Sequence, residues 1–285
     1  MSKDLTKRER KARIRKGLPI EALGLQFFPI SMADYEEFLE CKNALAIRMT
    51  SLAKTNIEYL SMPFLSALWA MELDTVRATG KAIGFFERTI RMLYLSLRLE
   101  YDSQKVFSHI YCEPNNPRNL LCVEVEQTDG KPVKISPAEF TTIVRQLIAE
   151  QNGIDLPNES YDDELVEEEQ YITQEQSSKV KFDMETLIAS VANASRLREC
   201  DIDEWTVKEF ERRRQAIDRD KYFMLYTQAE MSGMVKFKKG NPYPSWCLDK
   251  EQGLSPALKT ASELKSNFAA VGDIEQAVGQ ANKQS

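Results

Sequence analysis

One histidine, five cysteines and dispersed carboxylates and glycines are what this 285-residue chain offers to chemistry. His109 stands in a stretch, 106–111, that alternates apolar and polar side chains as a strand does. Without a nucleophile beside it, it reads as a satisfied or surface side chain, not a general base. Cys41, Cys112, Cys122, Cys200 and Cys247 include no pair at metal-ligand spacing, and no signal peptide precedes them, so five reduced thiols are expected. The interval between Cys112 and Cys122 would suit neighbouring strands. Gly80 and Gly84 lack the Lys-Ser/Thr that completes a phosphate-cradling loop, and Gly233 and Gly240 read as turn residues. The acids give no placeable catalytic pair. No catalytic, cofactor-binding or metal-ligating residue is assigned, no cofactor is expected, and the expectation is a protein that binds without being an enzyme.

The residues suited to binding are aromatics and methionines beside loops: Met62, Phe64 and Trp69 around Pro63, and Phe237, Tyr243 and Trp246 around the 241–246 turn. Methionine adapts to a partner's shape and tryptophan anchors it. The two prolines, Pro242 and Pro244, stiffen the second group and lower the entropic cost of presenting Tyr243 and Trp246. Core packing is the competing reading for all six.

The elements that must position these residues follow from periodicity. Residues 18–30 form an apolar lead-in that something must bury. Ser31 and Asp34 have capping-box spacing ahead of a first helix with Tyr35, Phe38, Leu39, Leu45 and Met49 at helical period. A second helix starts near Met62 with Pro63 in its first turn. A third, 84–101, has an apolar sector too wide for a helix packed on one side only, so it is central or at an interface. The period then falls to two over 106–111 and 120–126, and Asp129-Gly130 signals a hairpin into 133–135, giving an antiparallel sheet of about three strands. Ser136, Pro137 and Glu139 open a helix that stops at Asn152-Gly153. Two more helices are expected, one from about 182 and one over 206–224 with Phe210, Ile217 and Leu225 inward. Acids and arginines alternate on the outer face of the latter, as on a solvated helix.

The fold class expected is mainly α with a small antiparallel sheet, α+β, in two helical bodies. Their bounds are a basic arm over 1–17, a helical domain with a β-hairpin insertion over 18–157, an acidic linker over 158–180, a C-terminal helical domain over 181–250 and a weakly structured tail over 251–285. The arm holds eight basic side chains between Lys3 and Lys16, and 159–169 holds seven acids and no base. The arm reads as solvated, and the acidic run as a linker because it lacks the spacing and glycine of a calcium loop. A net charge of -6 argues against coating nucleic acid. The most apolar window, 60–73, is broken by Pro63 and Glu72 and falls short of the roughly 18 apolar residues of a membrane span.

The segments 35–41 (YEEFLEC) and 59–69 (YLSMPFLSALW) resemble the N-terminal part of tail proteins encoded by tailed bacteriophages and prophages. Residues 187–192 (LIASVA), with Trp205, Thr206 and Phe210, are similar to the helical part of tail assembly chaperones. That resemblance implies a tail morphogenesis protein that binds the tape-measure protein, and keeps its long apolar helices soluble until tail-tube subunits replace it. It implies the host bacterial cytoplasm as location and leaves self-association open. The hairpin within 120–135 and the 241–246 turn have no counterpart there, so a structural subunit of tail, baseplate or neck is the alternative.

Overall fold

The computed structural model describes residues 6–126, 131–159, 183–233, 237, 241–243 and 245–247. Helix α1 (Lys7–Arg15) opens on a capping box in which Thr6 Oγ1 accepts from the Glu9 amide and Glu9 Oε2 accepts from the Thr6 amide. Residues 6–16 of the expected arm are thus a capped helix whose Arg8, Lys11, Arg13, Arg15 and Lys16 are exposed. Ile14 packs against the core, Arg10 Nε lies 2.8 Å from Glu150 Oε2, and Arg13 Nε donates to the Pro19 carbonyl at 3.1 Å, and these contacts hold it down. Residues 1–5 of the expected arm lie outside the described residues.

The apolar lead-in is a hairpin, β1 (Ile20–Ala22) and β2 (Leu25–Phe27), with Ile20 opposite Phe27. Ile20, Leu25, Phe27 and Ile30 are buried. A 3-10 turn (Met32–Asp34) then leads into α2 (Tyr35–Leu45), and Ser31 Oγ donates to Asp34 Oδ2 at 2.8 Å in place of the full capping box. Next come α3 (Met49–Ala53), a 3-10 turn (Ile57–Ser61) and α4 (Phe64–Thr79), with Pro63 at the N-cap position. Helix α5 (Phe85–Leu97) is the central one: Phe86, Ile90, Met92, Leu93 and Leu97 are buried. Its buried Thr89 and Ser96 donate back to the carbonyls of Phe85 and Leu93, so even its polar positions are satisfied inside the core.

One expected strand is a helix. Asp102 Oδ1 accepts from the amides of Gln104 and Lys105 and starts α6 (Ser103–Ser108), so His109 is a helix C-cap and the strand begins one residue later. The reason is local: a side-chain N-cap competes with the alternating pattern, and only Val106 of the six is buried. The sheet itself is present, three antiparallel strands in the order β3 (Ile110–Glu113), β4 (Asn116–Glu126), β5 (Pro132–Ile135). Val123 lies opposite both Ile110 and Ile135. The expected Asp129-Gly130 turn lies outside the described residues. Helix α7 is one run of Pro137–Glu139, a π turn over Phe140–Val144, and Arg145–Asn152. Its capping box is the expected one, and left-handed Gly153 ends it (φ 70°).

Helix α8 (Met184–Ser195) is capped by Asp183, and α9 (Val207–Met231) by Thr206, whose Oγ1 accepts from the Glu209 amide at 3.1 Å. The architecture is mainly helical with small antiparallel sheets, an α+β fold. Its division differs from the one expected. Residues 183–222 form one compact unit with 1–157, and 223–285 group with 158–182. The segment at 205–207 is stitched to the lead-in: Met32 N–H donates to the Trp205 carbonyl (2.8 Å), Val207 N–H donates to that of Ile30 (2.9 Å), and Ser31 bridges Thr206. Ile202, Val207 and Phe210 are buried in the same core as Phe27 and Tyr35. A separate C-terminal domain over 181–250 is thereby corrected: the apolar stripe of 202–210 has its partner in 20–35. The expected acidic linker is described only at Asn158 and Glu159, and the expected 251–285 tail lies outside the described residues.

Candidate protein-interaction surface

Three of the six proposed anchors face inward. Phe64 is buried, its amide donates to Thr141 Oγ1 at 3.0 Å, and the Arg145 guanidinium lies 3.7 Å from its ring centroid. Arg145, itself buried, donates to the carbonyls of Leu45 and Ile47, both at 2.9 Å, so it ties α7 to the end of α2. Trp69 is half-buried, with its ring 4.9 Å from that of Phe86 and its indole N–H donating to the Pro117 carbonyl at 2.8 Å. Met62 packs half-buried against the same core. The expectation that Met62, Phe64 and Trp69 are free for a partner is therefore corrected. The first turns of α4 face the interior, and Pro63, itself exposed, marks the entry to that helix.

The other three lie in the second unit, at the end of the chain's described part. Phe237 and Tyr243 both lean on Tyr226 of α9, with ring centroids 5.4 and 5.2 Å away. Asn241 fixes the turn: its Nδ2 donates to Glu230 Oε2 at 3.3 Å and its Oδ1 accepts from the Tyr243 amide at 2.8 Å across Pro242. Phe237 and Tyr243 are thus brought together as a half-buried aromatic group. Trp246 stands outside it, 61% exposed.

A further set escaped the sequence reading. Phe210, Ile217, Met224 and Met231 recur every seven residues along α9, which places them on one line of the helix with only about 20° of drift per step. Phe210 is fully buried and Ile217 half-buried, whereas Met224 is 49% and Met231 83% exposed. Leu225, expected inward, is 60% exposed. Tyr226, about 200° around the helix from Met224, carries the aromatic group on the far side. The signal was available: the inward stripe does not stop at Ile217, and the methionines extend it beyond the core contact.

Part of the charged face of α9 is internally matched, while Arg212 has no carboxylate partner among the described residues. Arg214 bridges Glu211 (2.8 Å) and Asp218 (3.2 Å), and Arg213 pairs with Glu209 (2.8 Å) while its guanidinium lies 4.0 Å from the Trp205 ring centroid. Tyr35 donates to Glu211 Oε1 at 3.0 Å, and burial first, then the neighbouring carboxylate, pushes its phenol up to about 12. In a cavity of about 770 Å³ beside α2 and α5, several charged and polar groups pair with one another. Arg91 forks onto Glu37 and reaches Glu40, and Tyr101 donates to Glu87. Among the described residues no cluster of His, Cys, Asp or Glu is placed to hold a metal ion, and no helix is long and apolar enough to cross a membrane. All five cysteines are free thiols, and burial raises that of Cys41 to about 11, away from reactivity. His109 Nδ1 lies 3.3 Å from Glu124 Oε1 on the sheet, with no nucleophile in that contact.

No protein-family model, no curated protein and no solved structure matches this chain.

Proposed function

We propose that this chain is a non-enzymatic binding protein of bacteriophage tail assembly, which holds the apolar helices of the tape-measure protein in solution until tail-tube subunits displace it. The observation that carries the binding part is the exposed Met224–Leu225–Met231 surface on a helix whose earlier turns are built into the core. Contiguous exposed apolar groups on a soluble helix are a mark of partner contact, and methionine side chains adapt to helices of varied sequence. Trp246 adds an exposed aromatic beyond the same helix. The tail-assembly part rests on the sequence resemblance of 35–41, 59–69 and 187–210. Such a protein works in the host bacterial cytoplasm during assembly.

The test is co-expression with the tape-measure protein of the same phage or prophage, affinity purification, and mass spectrometry of both the complex and mature particles. Co-purification that is lost in Met224→Asp/Met231→Asp, with the chain absent from particles, is the expected result. Fixed stoichiometry in particles would make it a structural subunit of tail, baseplate or neck. Absence from both would overturn the reading.

A further inference from the structure

A groove of about 680 Å³ lies in the first unit where α1 crosses the end of α7 and the start of α9. Its floor includes Ile14, half-buried against the core, and its rim is cationic: Lys11 and Arg15 from one side, Arg212 from the other. Two further cations are committed to holding the walls together. Arg10 pairs with the Glu150 carboxylate at 2.8 Å, and Lys208 donates through Nζ to the Glu150 backbone carbonyl. Burial lowers the Lys208 pKa, as fits a structural cation.

Lys11, Arg15 and Arg212 are different. All three are exposed, and none has a carboxylate partner among the described residues. Arg8, also exposed and unpaired among those residues, extends the row, so Arg8, Lys11 and Arg15 stand at i, i+3 and i+7 on one face of α1. In a chain of net charge -6, a row of cations uncompensated among the described residues, over an apolar floor, is a local exception. We infer that this groove is a docking site for an acidic amphipathic helix of a partner protein, with carboxylates at three- and four-residue spacing against Arg8, Lys11, Arg15 and Arg212 and an apolar side chain against Ile14.

One observation favours protein over nucleic acid. The groove has an aliphatic floor and no aromatic for base stacking, whereas an apolar floor with a charged rim is how a helix is held. This docking site is separate from the methionine surface of α9 and does not rest on the proposed function.

The experiment is fluorescence anisotropy of the full chain with a labelled helical peptide of about 15 residues carrying leucine and glutamate at helical spacing. A duplex DNA and a single-stranded RNA serve as competing probes. The expected result is saturable peptide binding that weakens with added salt and about tenfold in Lys11→Glu/Arg15→Glu. Arg212→Glu, on a different helix, should weaken it in the same direction. The control Lys81→Glu/Lys105→Glu changes net charge equally at exposed sites elsewhere and should leave Kd within about twofold. No peptide binding, equal weakening in the control, or tighter binding of either oligonucleotide would overturn the inference.

Discussion

Replacing Phe210 by alanine tests whether the chain beyond 183 completes the first unit. Phe210 is fully buried, its ring 6.0 Å from that of Tyr35, on the first turn of α9 where Val207 N–H donates to the Ile30 carbonyl. Removing a buried phenylalanine side chain costs about 3 to 5 kcal/mol, the transfer of its carbons plus the cavity left behind. A unit of this kind has a total stability of about 5 to 15 kcal/mol, so the loss is a third or more of it in the middle of that range. Because Tyr35 and Ile30 lie 175 or more residues upstream in sequence, the loss must register there if the unit is cooperative. Urea unfolding followed by circular dichroism should show one transition shifted to lower denaturant. Hydrogen exchange should quicken at the Met32 and Val207 amides together. A shift below about 1 kcal/mol, or a first-unit transition that stays put while only 183–222 loosens, would refute the reasoning.

Phe64→Ala should cost about 3 to 5 kcal/mol in the same assay, whereas Trp246→Ala should stay within about 0.5 kcal/mol because Trp246 is exposed; equal effects would mean that both are surface groups or both core. Asn152→Ala should cost about 1 to 3 kcal/mol, since Asn152 Oδ1 accepts from the buried Ile30 amide at 2.8 Å and alanine leaves that donor unpaired; an unchanged melting temperature would show that water replaces it. The Tyr35 phenol titrates higher in the folded state (about 12) than in an unfolded chain (about 10), so its contribution is complete below pH 10 and lost as pH rises to 12. The loss is about 2 to 3 kcal/mol, and Tyr35→Phe should flatten that part of the stability curve; an unaltered slope would place the titration elsewhere.

The elements with strong local signals were legible in the sequence. The Ser136-Pro137-Glu139 start and Gly153 stop of α7 are short-range chemistry, and the wide apolar sector of α5 states its central position directly. Where two local signals compete, as at 102–109, periodicity alone misassigned a short capped helix. The hairpin at 20–27 has strands of three residues, too short for alternation to distinguish. The division of the chain was misread for a different reason. A run of acids shows where the chain leaves a body but not whether it returns, and the return through Trp205 and Phe210 depends on contacts more than 170 residues apart. The same limit applies to Phe64 and Trp69, whose exposure is decided by Arg145, Pro117 and Phe86 and not by their own neighbours in sequence. The methionine stripe was readable by its seven-residue spacing, and its uncovered part by nothing but the structure.

The stitching of 30–32 to 205–207 also dictates the order of events during synthesis. The buried faces of Phe27, Ile30 and Tyr35 emerge from the ribosome long before Val207 and Phe210 exist to cover them. At translation speeds of about 5 to 20 residues per second, that interval lasts about 10 to 40 s. For that time the nascent first unit is an open core with its own closing segment still untranslated. The unit therefore folds to completion late, and the nascent chain is the stage at which it most needs protection from aggregation.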